Sequence, residues 1–159
     1  MSSFPANSIK SELAAEVLRR EGVLHLQASG SSMLPALWPG DCLTERADGF
    51  SAAGAGDIVL YAREGRLFAH RVIRRRPHSL VTQGDCLPAP DEPVTANEFL
   101  GRVVGVRRRE VVTSTGRLSP PDRILAWLLC RSDLMHALAL RLHAWSRSAM
   151  RDVGGTSAG

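Results

Sequence analysis

The spacing of apolar positions changes twice along the chain. Between Ser8 and Arg20, Ile9, Leu13, Val17 and Leu18 recur at helical intervals among Lys10, Glu12, Glu16, Arg19 and Arg20, and Gly22 follows. That pattern predicts a short amphipathic helix stopped by a glycine. The period then shortens. Val23–Gln27, Asp41–Thr44, Asp57–Tyr61, Leu67–Arg74, Ser79–Gln83, Gly101–Val106 and Glu110–Thr113 are brief β-prone runs parted by Gly, Pro and Asp. Asp57–Tyr61 and Leu67–Arg74 flank Glu64-Gly65, the signature of a hairpin. From Ser119-Pro120-Pro121-Asp122, a helix-start signal, to about Met150 the chain turns rich in Leu, Ala, Trp and Arg.

These periods predict a mostly β protein of short, largely antiparallel strands, with a short N-terminal helix and a C-terminal helical hairpin or long helix. The divisions fall at residues 1–22 for the helix, 23–118 for the β domain, 119–150 for the C-terminal helical segment and 151–159 for a small, polar, disordered tail. The C-terminal segment carries Trp127, Trp145, Arg123, Arg131, Arg141 and Arg147. Two arrangements fit it: a helix lying in a membrane interface, or a hairpin bent at Arg131-Ser132-Asp133 that covers the β domain.

Composition narrows the function. With 159 residues, 44% of them hydrophobic and 23% charged, the chain has the makings of an ordinary globular core. The net charge is +4, almost all of the basicity is arginine, and Lys10 is the only lysine. The runs Arg74-Arg75-Arg76 and Arg107-Arg108-Arg109 read as solvated turns after strands, and no aromatic interleaves with them, so no nucleic-acid partner is expected. Cys42, Cys86 and Cys130 form no CxxC pair, which speaks against a structural zinc or a disulfide framework; no metal or cofactor is expected. Charges interrupt the first twenty residues where a signal peptide would be apolar, and no run approaches the roughly 18 apolar residues of a membrane span. The expected location is the cytoplasm or the periphery of the cytoplasmic membrane.

Candidate chemistry lies at Ser32, in Gly30-Ser31-Ser32-Met33-Leu34-Pro35, and at His70, in Ala69-His70-Arg71-Val72. A serine hydroxyl becomes a useful nucleophile when a base removes its proton, and histidine titrates near neutrality without special tuning. Small residues before Ser32 allow a tight bend, and the turn Ser31-Ser32-Met33 offers amides to an oxyanion. By residue type alone, a serine in such a turn is most often a turn former and a lone strand histidine most often structural or surface.

The order of the boxes adds to this. Gly30-Ser31-Ser32-Met33-Leu34-Pro35-Ala36-Leu37 with Pro39-Gly40-Asp41, then Gly56-Asp57-Ile58-Val59-Leu60, His70-Arg71-Val72-Ile73 and Thr82-Gln83-Gly84-Asp85 resemble, in sequence order, the signal peptidase and LexA-like serine peptidase clan. The resemblance spans about Gly30 to Val106. Bacterial leader peptidases and LexA-like repressors use a Ser/Lys dyad, but Lys10 lies upstream of Ser32 in the polar helix. The histidine box instead resembles the archaeal, endoplasmic-reticulum and sporulation-type signal peptidases, in which histidine replaces that lysine. The resemblance implies a LexA/signal-peptidase-like β domain, Ser32 as nucleophile, His70 as general base and Asp91 as orienting acid, with Asp85 as the fallback acid. Asp41, Asp57 and Asp85 are expected to shape turns. Three departures stand out: no N-terminal membrane helix, Gly30 where some members place a side-chain oxyanion donor, and Leu87-Pro88-Ala89-Pro90 in place of an asparagine-rich stretch.

The expected function is therefore a serine endopeptidase acting on an extended peptide or preprotein segment at small residues. The alternatives are a non-catalytic peptide-binding or membrane-docking module on the same fold and, with less support, a LexA-like self-cleaving regulator. The expected partners are a peptide or protein substrate and, through the C-terminal helix, a membrane surface.

Overall fold

The computed structural model describes residues 6–108, 111–113, 121, 124–126, 128 and 137–145. Helix α1 (Ala6–Glu21) precedes seven strands: β1 (Val23–Gln27), β2 (Cys42–Arg46), β3 (Ile58–Arg63), β4 (Arg66–Arg75), β5 (Leu80–Gln83), β6 (Phe99–Arg108) and β7 (Val111–Thr113). All pair antiparallel in one sheet of order β1-β2-β6-β3-β4-β5, with β7 beside β6. The mostly β architecture read from the sequence is thus present, with a short N-terminal helix and short C-terminal helical pieces. Among the described residues no helix is long and apolar enough to cross a membrane. Cys130, His136, most of residues 119–136 and the tail at 151–159 lie outside the described residues.

Strand β3 shows how the core is arranged. Successive side chains point to opposite faces, and Ile58, Val59, Leu60 and Tyr61 are all buried, so the strand is covered on both sides. Ile58 joins Met33, Leu37, Leu43, Val103 and Val106 in one cluster. Val59 and Tyr61 join Val72, Leu80 and Val94 in another. The β3–β4 hairpin turns at Glu64 (φ 51°) and Gly65 (φ 72°). Two consecutive left-handed residues match the right-handed twist of the strands, which explains why a glycine follows Glu64.

Helix α1 ends at Gly22, whose φ of 73° suits glycine and whose N–H donates to Leu18 O at 3.0 Å. Its buried face differs from the one the apolar spacing predicts. Ser11, Ala14 and Leu18 are buried, whereas Ile9 and Leu13 are 56% and 61% exposed. Small side chains at positions 11 and 14 let the helix backbone lie close to the sheet, where it packs on β1, β4 and β6.

The arginine runs also differ from expectation. Arg74 and Arg75 belong to β4, and Arg107 and Arg108 to β6. Arg75 Nη1 donates to Phe50 O (2.9 Å) and Ala53 O (2.6 Å), tying a surface turn to the sheet. Each run thus includes an arginine that organises a loop. Residues 137–145 rest on the domain: Ala139 and Leu140 pack with Leu34, Trp38 and Cys86, and the His143 ring lies 4.8 Å from that of Trp38. The bend expected at Arg131-Ser132-Asp133 lies outside the described residues.

Candidate active site

Ser32 sits in a hydrogen-bonded turn between β1 and β2. Met33, Leu34 and Leu37 anchor that turn in the core, while Leu34 N–H donates to Ser31 O and Leu37 N–H to Met33 O. The loop is closed at its base. Asp41 is buried, accepts the Trp38 N–H at 2.8 Å and receives the Arg108 guanidinium at 2.7 Å. Arg108 Nη2 also donates to Ala36 O at 3.2 Å. Asp41 therefore shapes the turn, as its Gly-Asp setting suggested, and Arg108 clamps the Ser32 loop to β6.

A second contact fixes the loop from above. Cys86 N–H donates to Ser32 O at 2.8 Å, which brings the Thr82–Asp85 turn against Ser32. A Cβ on Gly84 would lie 2.7 Å from Ser32 O and 2.9 Å from the Leu87 side chain. Gly84 is therefore a close-approach glycine, a role that only the packing of two distant loops reveals.

His70 is buried on β4, with its ring between these loops. Ser32 Oγ lies 2.9 Å from His70 Nε2, and His70 Nδ1 lies 2.8 Å from Asp91 Oδ2. An ionised carboxylate only accepts, so the hydrogen belongs on Nδ1 and leaves the Nε2 lone pair facing the serine hydroxyl. Asp91 is itself held in place. Its N–H donates to Thr82 O at 2.8 Å, and Thr82 Oγ1 donates to Asp91 Oδ2 at 2.8 Å. Beyond it, Leu80 and Val94 exchange two backbone hydrogen bonds, so the chain after Pro90 returns along β5. The altered Leu87–Pro90 stretch therefore leaves Asp91 tied to a strand.

Burial pushes the Asp91 carboxyl toward the neutral form, but hydrogen bonds from His70 and Thr82 outweigh it and hold the pKa below the ordinary carboxylate value. Tyr61, stacked on Phe68, has its hydroxyl 3.4 Å from His70 Nδ1, and burial pushes its pKa well up, so it stays a neutral phenol. The sequence reading did not single out Thr82 or Tyr61 for the site. Thr82 lay within a quoted box, whereas nothing in the spacing pointed to Tyr61.

Asp85, the fallback acid, is placed elsewhere. Both of its oxygens accept from Arg71 at 2.8 Å, and Arg71 Nη1 also donates to Gly56 O. Arg71 follows His70 on the strand and points to the opposite face, so its carboxylate partner lies away from the imidazole. The structure brings Asp91 to His70 and does not bring Asp85 there. His25 and His78 are exposed, and His143 contacts Pro39 O.

A groove of about 820 Å³ runs up to Ser32 and His70. One wall is β1 continued through Ala28–Ser32, and the facing wall is Gly65–His70 of the β4 hairpin. Leu43, Glu45 and Leu60 line it between these walls, and Lys10, Leu13, Ala14 and Val17 of α1 line it as well. Among the described residues β1 pairs with β2 alone, and β5 pairs with β4 only from Arg71 onward. One edge of β1 and one edge of Arg66–His70 therefore carry no strand partner. No family model and no curated protein matches the sequence of this chain.

Proposed function

We propose that this protein is a serine endopeptidase of the signal-peptidase type, with Ser32 as nucleophile, His70 as general base and Asp91 as orienting acid. The supporting observation is the hydrogen-bonded line from Ser32 Oγ through His70 to Asp91, which opens onto a groove bordered by two unpaired strand edges.

The chemistry follows from that line. An extended peptide pairs its backbone with the free edges, which sets the scissile carbonyl over Ser32. As Ser32 Oγ attacks, His70 Nε2 takes its proton, and Asp91 stabilises the resulting imidazolium. The negative charge that develops on the carbonyl oxygen needs preorganised donors. Among the described residues the N–H groups of Ser32 and Met33 donate to no backbone acceptor and are suited to that task. His70 then returns its proton to the leaving amine, and water hydrolyses the acyl-enzyme by the same route in reverse. Selection of small residues beside the scissile bond rests on the family resemblance. A fluorophosphonate probe should label wild type at Ser32 and fail to label Ser32→Ala or His70→Ala. Absence of wild-type labelling would favour the non-catalytic reading.

A peripheral membrane contact has its own support. On the segment 137–145, Leu138, Leu142 and Trp145 are exposed, with Trp145 at 71%. Spaced four and three residues apart, they share one face of a helix opposite the side packed on Trp38. Co-sedimentation with anionic vesicles, lost in Trp145→Ser, tests it.

A further inference from the structure

Glu45 is the buried carboxyl whose two oxygens both lack a hydrogen-bond partner among the described residues. It has no exposed surface. The strand positions beside it are apolar: Leu24 on β1 and Val103 on β6 are its register partners, and Leu43, two residues earlier, lies in the core. The alternation of β2 therefore makes position 45 a natural site for valine or leucine. Among the described residues the other buried Asp, His and Arg side chains are engaged: Asp41 by Arg108, Arg71 by Asp85 and His70 by Asp91. A buried carboxyl left unmatched costs stability, so its presence calls for a ligand or a function.

The position of Glu45 suggests that ligand. It lines the same groove as Ser32 and His70, beside Leu24, Leu26 and Leu60. Leu24 lies eight positions before Ser32 in the chain. A peptide paired along β1 would therefore pass Glu45 several residues from the bond at Ser32.

We infer that Glu45 is a recognition subsite for a lysine or arginine side chain of an extended peptide, set back from the scissile bond. Glu45 has no accessible surface in the unbound protein, so the incoming side chain must part the groove floor; its methylene stem then lies on the apolar walls and its cation reaches the carboxyl, where low polarity strengthens the pair and penalises a neutral isostere. The inference rests on the proposed peptide groove, but it needs binding rather than turnover. Lysine at the right position therefore adds affinity, and small residues near Ser32 set the cleavage point.

The test uses Ser32→Ala protein, so that binding is read without hydrolysis. The probes are fluorescein-labelled Ala/Val peptides of about a dozen residues, in which one lysine or its isostere norleucine is walked along the chain. At one position lysine should bind at least about tenfold more tightly than norleucine by fluorescence anisotropy. Adding Glu45→Leu should erase that preference, so that the lysine and norleucine peptides bind alike; a melt confirms folding. No preferred position, or a preference that survives Glu45→Leu, overturns the inference. Fluorophosphonate labelling of wild type separates the two proposals. Labelling without lysine preference leaves the peptidase standing and removes the subsite. Lysine preference without labelling does the reverse.

Discussion

Replacing Glu45 by leucine should stabilise the protein, and by an amount that depends on pH. Burial raises the Glu45 carboxyl from its ordinary pKa of 4.5 to about 8 in the folded state. Between those values the folded protein holds a proton that the unfolded chain has released. Stability therefore falls as pH rises through that window and levels off above it. At about 1.4 kcal/mol per pH unit, the accumulated penalty reaches roughly 5 kcal/mol on the alkaline side. The other ionisable groups lining the groove, Lys10, Arg66 and His70, are present in both proteins, so the wild-type-to-variant difference isolates Glu45. Urea unfolding followed by tryptophan fluorescence, with Trp38 as a reporter, gives the free energies. The advantage of Glu45→Leu should grow by about 3–4 kcal/mol from around pH 5 to around pH 8. Glu45→Gln, which cannot titrate, should also show a flatter pH profile than wild type. An advantage that is the same at both pH values would refute the burial argument, because it would mean that the carboxyl finds a partner or water.

Three further outcomes follow from the site. Asp91→Asn should slow fluorophosphonate labelling by about 10³–10⁴-fold with the fold unchanged, because the amide can impose the wrong imidazole tautomer. Thr82→Val removes one donor to the same carboxylate oxygen and should slow labelling by about tenfold; an unchanged rate would show that Asp91 is held by its backbone bond alone. Gly84→Ala drives a Cβ against Ser32 O and should cost about 1–3 kcal/mol of stability while impairing labelling, and a fully active, fully stable variant would disprove the close approach.

Much of this protein is legible in its sequence. The helix stop at Gly22, the hairpin at Glu64-Gly65 and most of the short strands follow from local rules: a glycine tolerates left-handed backbone, and period-two alternation makes a half-buried strand. Ser32 and His70 stood out because residue type and ordered boxes are properties of the chain itself.

What tertiary structure alone decided are relations between segments. By residue type Asp91 and Asp85 are equally acidic and only the family resemblance ranks Asp91 first; the physical difference between them is which face of β4 each one meets, the His70 face or the Arg71 face. The buried face of α1 was misread because close packing on a sheet rewards the small Ser11 and Ala14 over the larger Ile9 and Leu13. Arg75 and Arg108 read as solvated turn residues in the sequence because a guanidinium's partners come from loops far along the chain. Glu45 could not be distinguished from any surface glutamate, since alternation says which residues share a face but not which face the fold will bury. Local interactions settle local conformation; burial and partner choice depend on contacts between distant segments, and those exist only once the chain has folded.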